Sequence, residues 1–219
     1  MTVARPEFSP RVTGFSLVEL AVVMVILGLL LGGMLLPLSA QHDIQRFRAA
    51  EAALREIREA LLGYAAVHGR LPCPDMAANP ATSGYGEAEA SCAGATQEGF
   101  LPFKTLGLAE HDPWGQRWRY RVDTHFASAT PIRLVTTFGD ALGIVNNRGE
   151  SLTASSEEPP VALFFSTGPN ARPDGQNASF ETTGGLYQAD PPQPGFDDQL
   201  HWLARPLLFS RLIAAGRAL

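Results

Sequence analysis

Between Leu20 and Leu38 all 19 consecutive positions are apolar, glycine or proline, and beyond them the pattern changes to a stripe. At about 1.5 Å per residue the run reaches roughly 28 Å, the depth of a bilayer core, and predicts one membrane-spanning helix. Past Pro37 the apolar residues Ile44, Phe47, Leu54, Ile57, Leu61 and Tyr64 recur at intervals of three, four or seven. That spacing predicts an amphipathic continuation of the same helix. Its other face carries Arg46, Arg48, Arg55 and Arg58 against Asp43, Glu51, Glu56 and Glu59, with Glu51 and Arg55 set for an i,i+4 pair. Gly69 stands where a helix-ending glycine belongs and Pro72 and Pro74 bar continuation, so the helix is expected from about Ser16 to His68. Farther on, arginines alternate with Trp118, Tyr120 and Val122 from Arg117 to Val122, giving a strand with one apolar and one basic face. Ile132 to Phe138 and Val161 to Ser166 supply two more strands for a small antiparallel sheet packed on the helix. Pro206, followed by Leu207, Leu208, Leu212 and Ile213 with Arg211 and Arg217 between, opens a short amphipathic C-terminal helix. The expected class is α+β.

Composition changes this picture little. With 219 residues, 45% hydrophobic, 18% charged and a net charge of -5, the chain is a folded protein. Near-zero mean hydropathy averages an uncharged N-terminal run and a polar remainder. Among 17 basic residues only Lys104 is lysine, and no run of like charge forms a basic arm or an acidic tail. Ahead of the apolar run, Arg5, Arg11 and the initial amine outweigh Glu7, which predicts a cytoplasmic leader and an outward head. A cleaved secretory signal would have a shorter apolar region and small residues after it, whereas Leu38-Ser39-Ala40 places a leucine there. A plain anchor accounts for length and flanks but leaves Glu19 unexplained. This carboxylate lies at the mouth of the apolar run, with no basic residue between Arg11 and Arg46 to pair with. An intramembrane acid costs enough to imply a function and a partner.

Gly14-Phe15-Ser16-Leu17-Val18-Glu19-Leu20 and the aliphatic run after it resemble the class III signal of type IV pilins and type II secretion pseudopilins. The resemblance implies that a prepilin peptidase cuts between Gly14 and Phe15 and methylates the new N-terminal Phe15. Cleavage creates an α-amine with an ordinary pKa of about 7.7 to 8.0, charged at neutral pH. By the resemblance, the Phe15 amine of a neighbouring subunit is the missing partner of Glu19, and the pair serves as a register device in assembly. The proline that bends many pilin helices falls one residue later here, at Pro37. The implied organisation is a leader over 1–14, a transmembrane helix over 15–40, an amphipathic continuation over 41–69 and a periplasmic head over 70–219. The implied fold is pilin-like: a long N-terminal helix, half of it transmembrane, on an antiparallel sheet. Implied partners are the prepilin peptidase, other pilin or pseudopilin subunits, an inner-membrane assembly platform and the lipid bilayer.

Cys73 and Cys92 enclose 18 residues, and a bridge across that loop contributes about 3 kcal/mol in the chain-entropy picture. An oxidising periplasm favours the bridge over two buried thiols. Asp112-Pro113-Trp114-Gly115 has the residues of a type I turn. With Asp197-Asp198 ahead of Trp202, it resembles the head of the major type II secretion pseudopilin, a group in which a loop before the late acidic pair binds calcium. That makes Asp174, Asp197 and Asp198 the candidate ligands, hard oxygen donors suited to this cation; solvated loop acids are the other reading. The loop from Gly168 to Asp198 is long and proline-rich, and the C-terminal helix lies outside this second resemblance. Arg117, Arg119 and Arg121 could form a DNA-binding ladder, but their aromatic neighbours point to the other face, so a solvated strand face is expected and nucleic acid is not.

No phosphate-binding glycine loop, His-Glu-x-x-His or Gly-x-Ser-x-Gly occurs, and the five histidines are scattered singly. Asn177-Ala178-Ser179 matches a glycosylation acceptor only by a three-residue pattern. No enzymatic activity is expected. The reading is a structural filament subunit, with a filament-tip or membrane-anchored binding module for a secreted protein, a surface or DNA as the alternative.

Overall fold

The computed structural model describes residue 14 and residues 16–92, 98–153, 158–178 and 185–219, with the side chains of residues 31–40 outside that set. Helix α1, Leu17–His68, is 52 residues long and runs through Pro37 without a break. Ser16 caps it: the hydroxyl accepts from the Val18 N–H at 3.3 Å and the carbonyl from the Leu20 N–H at 3.1 Å. It ends at Gly69, whose φ of +72° is the left-handed conformation that closes a helix cheaply only with glycine. The chain divides into two compact units, residues 1–45 and 46–219. Among the described residues no helix is long and apolar enough to cross a membrane. The span expected from Leu20 to Leu38 runs into residues whose side chains are outside the described set.

In the second unit the expected stripe is a core face. Leu54, Ile57 and Leu61 are buried, joined by Ala50, Leu62 and Ala65, while Phe47 and Tyr64 are half-buried. Against this face lies a four-stranded antiparallel sheet of β1 (Glu98–Phe100), β2 (Arg119–Val122), β4 (Pro160–Ser166) and β6 (Gln199–Ala204), in the order β1-β2-β4-β6. Strand β4 is buried at every position because it is central, so it reads as a continuous apolar run rather than an alternation. Two more strands, β3 (Gly143–Val145) and β5 (Leu186–Gln188), form a separate parallel pair. Ile144 and Tyr187 from that pair join Leu163, Phe165 and Leu200 in a second apolar cluster. The short helices α2 (Phe103–Leu106) and α3 (Thr124–Ala127) lie between strands, and α4 (Arg205–Ala214) follows β6 with proline in its first turn. Leu208 and Leu212 of α4 are buried in the main core, while Leu207 and Ile213 are exposed.

One expected strand is absent. Residues Ile132 to Phe138 form a turn in which the Thr136 N–H donates to the Arg133 carbonyl and the Arg133 N–H to Thr136 Oγ1, both at 2.9 Å. Side-chain and backbone bonds within the segment take the place of a ladder. Only Ile132 is buried, anchored by its N–H to the Gly69 carbonyl at 2.8 Å, while Leu134 and Val135 face outward. The sheet is completed instead by β1 and β6. The Cys73–Cys92 bridge is present, with Cα atoms 5.5 Å apart.

Asp75 organises the loop that the bridge closes. Fully buried, it accepts from the Ala77 N–H at 2.8 Å, from the Gly86 N–H at 2.7 Å and from the Arg117 guanidinium. The Arg117 guanidinium is itself stacked between the Tyr85 and Phe100 rings. Asp123 acts similarly at the start of α3, accepting from the N–H groups of His125, Gly139 and Asp140.

Candidate functional site

The N-terminal segment presents its chemistry openly. All described side chains from Ser16 to Leu30 are exposed, and Leu17, Val18, Ala21, Val22, Val25 and Ile26 share one apolar face of α1. Gly14 is exposed; Phe15, the expected site of cleavage and methylation, and the leader residues 1–13 lie outside the described residues. Glu19 sits in the first turn of α1, where a carboxylate is favoured by the unpaired N–H groups and the helix dipole. The Ser16 cap sets the start of the helix at Leu17, which places Glu19 in this turn.

A second candidate forms in the head. Carboxylate oxygens of Asp174, Asp197 and Asp198 lie within 4.8 Å of one another. Asp174 precedes a 3-10 turn, Gly175–Ala178, and the other two directly precede β6. Asn170 Nδ2 donates to both Asp174 oxygens at 3.0 and 2.9 Å, and the Asp197 N–H donates to Asp174 Oδ2 at 2.9 Å. Asp198, only 1% exposed, accepts from the Asp174 N–H and from Asn177 Nδ2, both at 2.8 Å and both at Oδ2. Among the described residues its Oδ1 is buried without a hydrogen-bond partner, and so is Asp197 Oδ1. Burial pushes the Asp198 carboxyl up to about 7, against the N–H donors that lower it; Asp197 is raised too, first by burial and then by Asp174. Gly168, at φ +62°, backs directly onto Asp197: a Cβ there would stand 2.2 Å from Asp197 Oδ1. Three carboxylates with two orphaned buried oxygens suit a hard divalent cation, which would neutralise the charge that burial penalises. Asn170, Asn177 and Gly168 escape a sequence reading because asparagine and glycine are ordinary loop residues.

Compared with known proteins, residues 10–35 match the family model of the prokaryotic N-terminal methylation motif. The chain carries the prepilin-type signature of type IV pilins and pseudopilins. No curated protein and no solved structure matches the chain. The motif implies processing by prepilin peptidase and assembly with other pilin subunits, and it belongs to structural proteins rather than enzymes.

In the head the arginine face is closed, not solvated. Arg117 pairs with Asp75; Arg119 Nη2 donates to Glu98 Oε1 at 2.7 Å; Arg121 is buried with Nη1 3.5 Å from the Tyr187 hydroxyl. The Tyr187 hydroxyl donates in turn to Glu98. The expectation of a wet basic face fails because the β3–β5 pair brings Tyr187 against β2, and alternation within one strand cannot announce that second layer. The other face behaves as expected, with Trp118, Tyr120 and Val122 in the core. Burial pushes the Glu98 carboxyl up to about 7, although Tyr187 and Arg119 favour its charged form. With its arginines engaged by acids and a phenol, this strand offers no ladder to a DNA backbone.

The expected turn at Asp112 is present and does more than reverse the chain. The Gly115 N–H donates to the Asp112 carbonyl at 3.0 Å, and Asp112 Oδ1 accepts from the Trp114 and Gln116 N–H groups at 3.0 and 2.8 Å. On the helix side, His201 of β6 lies between Glu51 and Arg58 of α1, with Nε2 3.0 Å from Glu51 Oε2 and Nδ1 2.9 Å from Arg58. Arginine can only donate, so Nδ1 accepts and Nε2 carries the proton toward Glu51. Burial lowers the His201 pKa and keeps the ring neutral in this bridge.

Proposed function

We propose that this chain is a structural subunit of a type IV pilus-like filament or a type II secretion pseudopilus. Its precursor is held in the bacterial inner membrane by the apolar half of α1, with the head in the periplasm. Prepilin peptidase cuts between Gly14 and Phe15 and methylates Phe15; an inner-membrane platform then assembles subunits through their N-terminal helices. Glu19 accepts the Phe15 amine of a neighbour and sets the stagger. The observation that carries this reading is the methylation motif over residues 10–35, and the exposed apolar face from Leu17 to Ile26 supports it as a surface for lipid or neighbouring helices. Asp174, Asp197 and Asp198 hold calcium, which screens three clustered carboxylates and ties the 3-10 turn to the start of β6.

Intact-mass measurement of the membrane-extracted chain, with and without a co-expressed prepilin peptidase, tests the pathway. Loss of residues 1–14 with addition of one methyl group is expected. An uncut chain refutes processing and leaves a membrane anchor with an unpaired acid.

A further inference from the structure

Two links run from the carboxylate cluster to the stretch of α1 around Phe47. The first is strand β6. It begins at Gln199, immediately after Asp198, and its period of two places Gln199 and His201 on one face. Gln199 Nε2 donates to the Phe47 carbonyl at 3.3 Å, and His201 reaches Glu51, one helical turn farther along α1. The second link is the Asp112 turn. Gly168, packed on Asp197, donates its N–H to Ser166 Oγ at 3.1 Å; that fully buried hydroxyl donates to Asp112 Oδ2 at 2.5 Å. Asp112 holds the Trp114 N–H, and the Trp114 ring meets Phe47 edge-on with centroids 4.9 Å apart. Both routes start at the two aspartates that have an unpartnered buried oxygen and end on the same residue of the helix.

We propose that a divalent cation at Asp174, Asp197 and Asp198 tightens the grip of the head on α1 at Phe47–Glu51, through Gln199 on one side and through Ser166, Asp112 and Trp114 on the other. This rests on the cation reading above and adds its consequence. With the cluster empty, unpaired buried oxygens favour local opening of the loops that carry Asp174 and Asp197, and with them the start of β6. A cation bound only in the closed arrangement lowers the population of every opening that disrupts it, by up to about a hundredfold at a hundredfold excess over its Kd. The cation thereby regulates how firmly the assembly helix is seated in its own head.

Hydrogen exchange of the full chain in detergent, in calcium chloride against EDTA, tests this. Calcium is expected to slow exchange at residues 168–178 and, by roughly tenfold, at residues 47–52. A Ser166→Ala, Gln199→Ala double variant keeps the first protection and loses the second. Protection at 168–178 with no change at 47–52 in the wild type overturns the coupling while leaving the cation reading intact. Protection at 47–52 retained in the double variant overturns the route. No calcium effect at 168–178 refutes the cation reading, and the coupling falls with it. Should the double variant fail to fold, the wild-type comparison still decides.

Discussion

Replacing Glu98 by glutamine should make the head less sensitive to alkali. The Glu98 side chain is 5% exposed, and burial raises its carboxyl from an ordinary 4.5 to about 7. A raised carboxyl pKa means that the folded state holds the proton more tightly than the unfolded chain does. The associated stability is fully present below about 4.5 and is lost as pH rises through about 7. Between pH ~5.5 and ~8, linkage with these two values removes about 2 kcal/mol from the wild type. Glutamine cannot ionise, so the variant loses none of that increment; its carbonyl oxygen still accepts from Arg119 while its amide NH2 faces the Tyr187 hydroxyl, which can turn to accept. The assay is urea unfolding of the full chain in detergent at both pH values, followed by tryptophan fluorescence, since Trp118 is buried in the core. Taking the difference between the two proteins cancels the other titrating groups, Asp198 and His201 among them. An equal loss of stability in both proteins between the two pH values would falsify the claim that burial outweighs the Arg119 pairing.

Three further outcomes follow from the geometry. Asp75→Ala leaves the largely buried Arg117 guanidinium without its anion and should cost about 3 to 5 kcal/mol, measured by chemical denaturation. Reducing the Cys73–Cys92 bridge should lower stability by about 3 kcal/mol in the same assay without abolishing the fold, because Cys73 and Cys92 belong to a large apolar core. Glu19→Val should leave cleavage intact by mass spectrometry and block filament assembly; normal filaments from that variant would remove Glu19 from the register mechanism.

The long helix was legible because its stripe is periodic and its end is punctuated: Leu54, Ile57 and Leu61 went to the core, and Gly69 closed the helix. The Asp112 turn and the Pro206 helix were legible from local residue chemistry, and the N-terminal motif from residue identity alone. What stayed hidden depended on contacts distant in sequence. Ile132 to Phe138 has strand-forming residues, yet its pairing goes to an internal turn and to Gly69. The short strand β1 carries almost no pattern in three residues. The arginines of β2 looked solvated because nothing local points to Tyr187, 66 positions beyond Arg121. In the acid cluster the carboxylates could be named, but Asn177 and the buried Ser166 hydroxyl could not, since each acquires its role only when loop and strand meet.

The way α1 is fastened to the sheet has a mechanical consequence. From Ala50 to Ala65 the helix contributes buried residues over four turns, and polar contacts from Gln199, His201, Arg211 and Arg217 are spaced from Phe47 to Ala66. In the filament proposed above, tension would enter each subunit along this rod. Because the attachments lie side by side with the pull, they share it in shear and must give way together, whereas a joint at one end would peel contact by contact. The Cys73–Cys92 tie lies just past the end of the rod and limits how far the chain beyond it can pay out if the seam slips. A subunit built this way would resist sudden extension better than one joined to its helix at a single end.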